Sequence, residues 1–246
     1  MPTTLLRRPS TVSVARELPV HARRTPLTGR PPHLMIEFGV GVATHTRDAI
    51  HMCDHVLVRR LDPSVPLTEH QIERALERIE PGLTKYLWIM ARVHRCDVRT
   101  DATFQRSFNG FYKVRKNPAW QAPYYALMEH AKTQPLDFAE VLRAMHAAVG
   151  SVEASFSSKL VATLDPTQPV WDQFVLRNVG LRKPYPYQND QFGRTIALYE
   201  ELRRRCAALA ASHEGRLICA MFTRRYPAAA ITDLKRIDLV LWQHRE

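Results

Sequence analysis

Glycine is scarce in this chain, 9 residues in 246, and period-two alternation of apolar and polar residues is scarcer still. Both shortages argue against a sheet-rich fold and leave an all-α bundle as the expected class. No apolar run approaches the ~20 residues that a membrane-spanning helix requires. The N-terminus also lacks the apolar stretch of a secretory signal. Four cysteines, Cys53, Cys96, Cys206 and Cys219, are too scattered for a CxxC zinc or iron–sulfur pattern and too few for a disulfide scaffold. Reduced thiols, a cytoplasmic location and no cofactor are the expectations.

Acid is the other shortage. Asp+Glu number 24 against Lys+Arg 35, for a formal net charge of +11 and a pI near 9.9. Such an excess favours polyanionic partners, nucleic acid or an anionic membrane. The deficit is sharpest in residues 1–34, where Arg7, Arg8, Arg16, Arg23, Arg24 and Arg30 face a single acid, Glu17, among several prolines. That composition predicts a disordered basic tail, and it also fits an organelle transit peptide or a start codon placed upstream of the true one.

Residues 35–66 form an extension of uncertain fold, holding the apolar patch MIEFGVGVA and the pair His51 and His55. Histidines at i and i+4 share a helix face and can bind zinc. With only two sure ligands they read more simply as ordinary surface residues, and no metal site is assigned.

From residue 67 to 246 the pattern is helix after helix. Thr68 and Gln71 form a capping box ahead of Ile72, Leu76 and Ile79, and Pro81-Gly82 is expected to break that helix before Leu83, Tyr86, Leu87 and Met90 open another. Phe138, Val141, Leu142, Met145 and Val149 recur with helical spacing, as do residues near 191–211, and a last helix is expected from Thr232.

The stretch most able to carry chemistry is GSVEASFSSKLVATLDPTQPVWDQFVLRNVG, residues 150–180. Val149-Gly150 ends one helix and a second follows at once, making a helical hairpin whose turn could present backbone N–H groups to a phosphate. The second helix, Val152 to Leu164, carries Ala154, Ser155, Ser157, Ser158 and Ala162, small enough to lie close to another backbone. Pro166 and Pro169 end it. A further helix opens on Asp172, a carboxylate that is at least an N-cap.

These residues resemble the core of the helix-hairpin-helix DNA glycosylases, and most of all the divergent bacterial proteins with an oxoguanine-glycosylase fold. The Gly150 hairpin is followed, at the family's distance and without a gap, by Pro169-Val170-Trp171-Asp172-Gln173-Phe174-Val175, where the family has Pro-Val-Asp-x-x-Val. The resemblance implies an all-α fold of two lobes, and it implies that Asp172 is the catalytic aspartate. It also implies a double-stranded DNA substrate holding a modified base. Departures accompany it. Ser151-Val152 replaces the second hairpin glycine, Ala154 stands where bifunctional members carry their Schiff-base lysine, and the iron–sulfur cysteine loop is missing. A monofunctional enzyme is therefore expected. Lys159, little more than one turn beyond Ala154, is either a substitute amine or, more simply, a phosphate contact.

In this chemistry an ionised carboxylate stabilises the positive charge that grows on the sugar as the N-glycosidic bond breaks, and it directs a water. The base must leave the duplex to reach it. FQRSFNGFYKVRKNPAWQAPYY, residues 104–125, interleaves aromatics with Arg106, Lys113, Arg115 and Lys116 around an expected Asn109-Gly110 turn, and is the candidate DNA surface. Within it Phe104, Phe108 and Trp120 read as core. Gly150, Ser151, Lys113, Arg115, Lys116 and Arg177 are the candidate DNA contacts, with Tyr112, Trp171, Phe174 and Trp242 as candidates for the base pocket or wedge. Arg182 and Lys183 extend one basic group, and Arg224, Arg225, Lys235 and Arg236 form another. A monomeric, nucleoid-associated DNA glycosylase is the leading expectation. A non-catalytic DNA-binding protein of the same fold and a helical protein-interaction module are the alternatives.

Overall fold

A computed structural model of the protein describes residues 66–185 and 189–245. The expected tail (1–34), nearly all of the extension (35–66) and the His51–His55 pair lie outside the described residues. Among those described there are nine α-helices and no strand. They are α1 (Glu69–Arg92), α2 (Ala102–Tyr112), α3 (Pro118–Ala131), α4 (Phe138–Val149), α5 (Ala154–Leu164), α6 (Gln173–Asn178), α7 (Gln191–Ala211), α8 (His213–Arg225) and α9 (Asp233–Gln243).

Local chemistry sets most of the starts. Thr68 and Gln71 form the reciprocal capping box at α1, Asp137 and Glu140 do the same at α4, and Asp101, Asn117, Ser212 and Thr232 each accept a backbone N–H in the first turn that follows. The expected break at Pro81-Gly82 does not occur, and α1 continues through it. Ile72, Leu76, Ile79, Leu83 and Tyr86 form one uninterrupted buried stripe. Its packing outweighs the ~3 kcal/mol that an interior proline costs. Gly82 lies under the Phe111 ring, whose nearest carbon is 3.5 Å from where a Cβ would stand.

The Asn109-Gly110 turn is likewise absent, since both residues lie inside α2. That helix ends instead at Lys113, which adopts the left-handed conformation at φ 57°. Gly150 ends α4 in the same region, φ 72°, with its N–H bonded to the His146 carbonyl at 2.8 Å. α4 and α5 then pack as an αα-hairpin, and α4 also contacts α3 and α7.

α9 is the hub of the other contacts, lying against α1, α6, α7 and α8. It buries Ile237, Leu239, Val240 and Leu241, and it buries Lys235 and Asp238 among them. None of the described helices is long and apolar enough to cross a membrane.

Candidate functional site

The segment between α5 and α6 leaves a proline-bounded stretch with backbone groups to satisfy, and side chains from three helices satisfy them. Thr232 donates to the Pro166 carbonyl (2.8 Å) and the Tyr199 hydroxyl to the Pro169 carbonyl (3.0 Å). Val170 N–H reaches Asp238 Oδ1 (3.3 Å) and Trp171 N–H reaches Ser158 Oγ (2.8 Å), while Ser155 Oγ donates to the Trp171 carbonyl (2.9 Å). The small residues of α5 thus serve as a hydrogen-bonding rail for this segment. Each bond in such a site is worth ~1 kcal/mol, and together they fix one conformation.

That conformation is extended, with Asp172 at φ −125° and ψ 150°. Side chains of an extended chain alternate, so Val170 and Asp172 point to one side and Trp171 to the other. Val170 and Asp172 line a cavity of about 140 Å³, together with Phe111, Tyr112, Lys113, Lys159, Val175, Lys235, Asp238 and Trp242. Trp171 is buried and stacks on Phe138 instead, with ring planes 5° apart. It is not a base-pocket residue, and the alternation is the reason.

Asp172 caps α6, its Oδ1 accepting the Phe174 N–H at 2.8 Å. Asp172 is also one of the residues that line the cavity. Lys159 Nζ donates to the Tyr112 carbonyl at 3.2 Å and lies 5.0 Å from the centre of the Phe156 ring. Burial pushes the Lys159 amine from its ordinary 10.5 down to about 8, against the pull of the Asp172 carboxylate and with the help of Lys183. Lys235 is the opposite case. Burial would depress it, but Asp238 Oδ2 at 2.7 Å, with Tyr112 and Tyr86 nearby, holds it above the usual lysine range. Two lysines in one cavity are therefore shifted in opposite directions, Lys235 upward by its carboxylate partner and Lys159 downward by burial.

Asp238 escaped the sequence reading, and Lys235 entered it only as a member of a basic group. Lys235 is only 4% exposed, so the basic group expected at 224–236 loses it, and Arg236 is engaged by Asp233 at 2.7 Å. The available signal was their i,i+3 spacing on the helix face that also carries Leu239 and Leu241.

The candidate DNA surface at 104–125 is not a stacking surface. Phe104, Phe108, Phe111, Tyr112, Trp120, Tyr124 and Tyr125 are all buried, packing ring against ring within the core. Tyr112 keeps a place in the cavity wall, its hydroxyl accepting from Thr163 at 3.3 Å. Lys113 and Arg115 are exposed, and Lys113 stands at the cavity. Lys116 is committed elsewhere, paired with Glu153 at 2.6 Å. Glu153 also accepts from Trp120 Nε1 (3.2 Å) and Ser151 Oγ (3.0 Å). The turn that was expected to hold a phosphate thus carries a carboxylate of its own, which repels an incoming anion. Phe174, half-buried, has both Arg177 and Arg245 over its ring, with guanidinium carbons 5.6 and 5.1 Å from the ring centre.

Among the described residues no three His, Cys, Asp or Glu side chains gather as a metal ion would need. Comparisons with protein-family models, curated proteins and solved structures find no match.

Proposed function

We propose that the chain is a DNA glycosylase of the helix-hairpin-helix type, two-lobed in the manner of that family, which excises a modified base using Asp172. The observation that carries this reading is the placement of Asp172. Its carboxylate is held at one oxygen by the α6 N-terminus, and the residue lines a cavity of about 140 Å³. A positioned carboxylate of this kind stabilises a developing oxocarbenium ion and orients the water that attacks it.

The size of the cavity agrees. At about 140 Å³ it falls below the ~300 Å³ of sites for drug-sized ligands, and it admits one ring system rather than a whole nucleotide. The base of a nucleotide turned out of the duplex is one such ring system. Lys113 at the cavity, Lys183 near enough to act on Lys159, and exposed Arg177 and Arg182 supply positive charge for the flanking phosphates. Phosphate contact is drawn from these cations and not from the Gly150 turn, because Glu153 occupies it.

The test is excision from a panel of duplexes, each with one damaged or modified base, by the wild-type protein and by Asp172→Asn. Asparagine keeps the helix cap and loses the charge. Abasic product from the wild type and none from the variant is the expected result. Product from both removes Asp172 from the chemistry. DNA binding without product from any duplex makes the chain a binding protein.

A further inference from the structure

Away from the Asp172 cavity, α7 keeps one face exposed along its length. At ~100° per residue, Leu198, Leu202 and Cys206 turn one side of this helix into the core, and the opposite side holds Gly193, Ala197, Glu200, Arg204, Ala207 and Ala211. All of these are exposed except Gly193, which is half-buried. Their alternating steps of four and three residues are those of a coiled-coil seam, along which one helix packs on another. Ala197, Glu200, Arg204 and Ala207 also line an open groove of about 690 Å³, with Thr167, Pro169 and Leu234 among its other walls.

We infer that this face is a dimer interface, on which α7 of a second copy of the chain lies antiparallel. The order of charges along it is its own complement. Turned end for end about the level of Leu202, Glu200 meets the partner's Arg204 and Arg204 meets the partner's Glu200, while Ala197 meets the partner's Ala207 and Gly193 the partner's Ala211. A two-fold pair requires such a self-complementary surface. The parallel arrangement is excluded, because it sets Glu200 on its own copy and Arg204 on its own copy, like charge against like. Glycine and alanine at the outer positions let the two backbones approach to the ~8 Å lower limit of packed helices. Within one chain Glu200 is paired with Arg203 at 2.8 Å and Arg204 with Glu201. These surface pairs hold loosely in water, and a carboxylate and a guanidinium each have capacity for a second partner across the seam.

One helix of 21 residues lying on another buries less than the ~1,600 Å² of a standard interface. The dimer is therefore weak, with a dissociation constant in the micromolar range. It is independent of the chemistry at Asp172, and it replaces the monomer expected from the sequence.

Sedimentation velocity of the full chain, from micromolar to millimolar concentration, should show a reversible monomer–dimer equilibrium. Glu200→Arg and Arg204→Glu each set like charges against one another across the seam, and each should raise the dissociation constant roughly tenfold or more. Both positions are exposed, so helix content by circular dichroism should be unchanged. An equimolar mixture of the two variants pairs a guanidinium with a carboxylate at both central positions, and it should regain the dimer as a heterodimer. A monomer at every concentration overturns the inference. So does a dimer that survives either single change, which places the contact on another surface, and so does a mixture that stays monomeric.

Discussion

Replacing Lys159 by methionine should make the protein more stable at neutral pH. The folded chain binds a proton at Lys159 less tightly than the unfolded chain, about 8 against the ordinary 10.5. At ~1.4 kcal/mol for each tenfold change in proton affinity, the charged amine costs the folded state roughly 3 kcal/mol. Methionine removes that cost and fills similar space, at the loss of ~1 kcal/mol for the bond to the Tyr112 carbonyl. A net gain of about 2 kcal/mol follows. The pH dependence gives a sharper check. Below pH 8 both states hold the proton and the cost is present in full. Between 8 and 10.5 the folded state has released its proton while the unfolded state still holds one, so stability rises with pH. Above 10.5 the cost is gone. Other groups titrate in the same range, so the quantity to measure is the wild-type minus variant difference in unfolding free energy, from denaturant titrations at several pH values. That difference should shrink to zero and then change sign as pH rises through the window, leaving the wild type ahead by ~1 kcal/mol above 10.5. A constant difference, or one that widens, would refute the assignment of Lys159 as a depressed, buried amine.

Further outcomes are expected at neighbouring residues. Asp172→Ala should cost ~1 kcal/mol through loss of the α6 cap while Asp172→Asn costs little, read by thermal melting. Asp238→Ala should be far more damaging, ~3–5 kcal/mol, because it leaves Lys235 charged and buried, and the double change Lys235→Met with Asp238→Leu should recover much of that loss. Glu153→Gln removes the anion at the Gly150 turn and releases Lys116, so duplex DNA should bind more tightly and with a steeper salt dependence in a fluorescence-anisotropy titration. Unchanged affinity there would mean that the turn lies away from the bound strand.

Periodicity and capping chemistry made the helical character of the chain readable, because capping boxes and apolar stripes act within a few residues of one another. Pro81 shows where that range ends. Its local penalty is real, and it is overridden by partners of α1 that lie far along the chain, in α2, α8 and α9. The aromatic run at 104–125 misleads in the same way. Composition suits a stacking surface, but each ring finds another ring inside, while Arg106, Lys113 and Arg115 stay outside. Asp172 and Lys159 were visible as candidates, whereas their shared cavity depends on Lys235 and Asp238 arriving from α9. The side to which Trp171 turns was implicit in the extended Val170–Asp172 stretch.

The clamp on residues 166–172 has a consequence for how the site comes into being. Its bonds join residues as far apart as Val170 and Asp238, or Pro166 and Thr232. A chain emerging from the ribosome has made α5 and the Asp172 segment long before α9 is available to hold them. Until α9 docks, Val170 N–H has no Asp238 and the cavity lacks its Trp242 wall. α9 thus completes the chamber around the carboxylate and the amine, and a nascent or C-terminally truncated chain carries both groups without it.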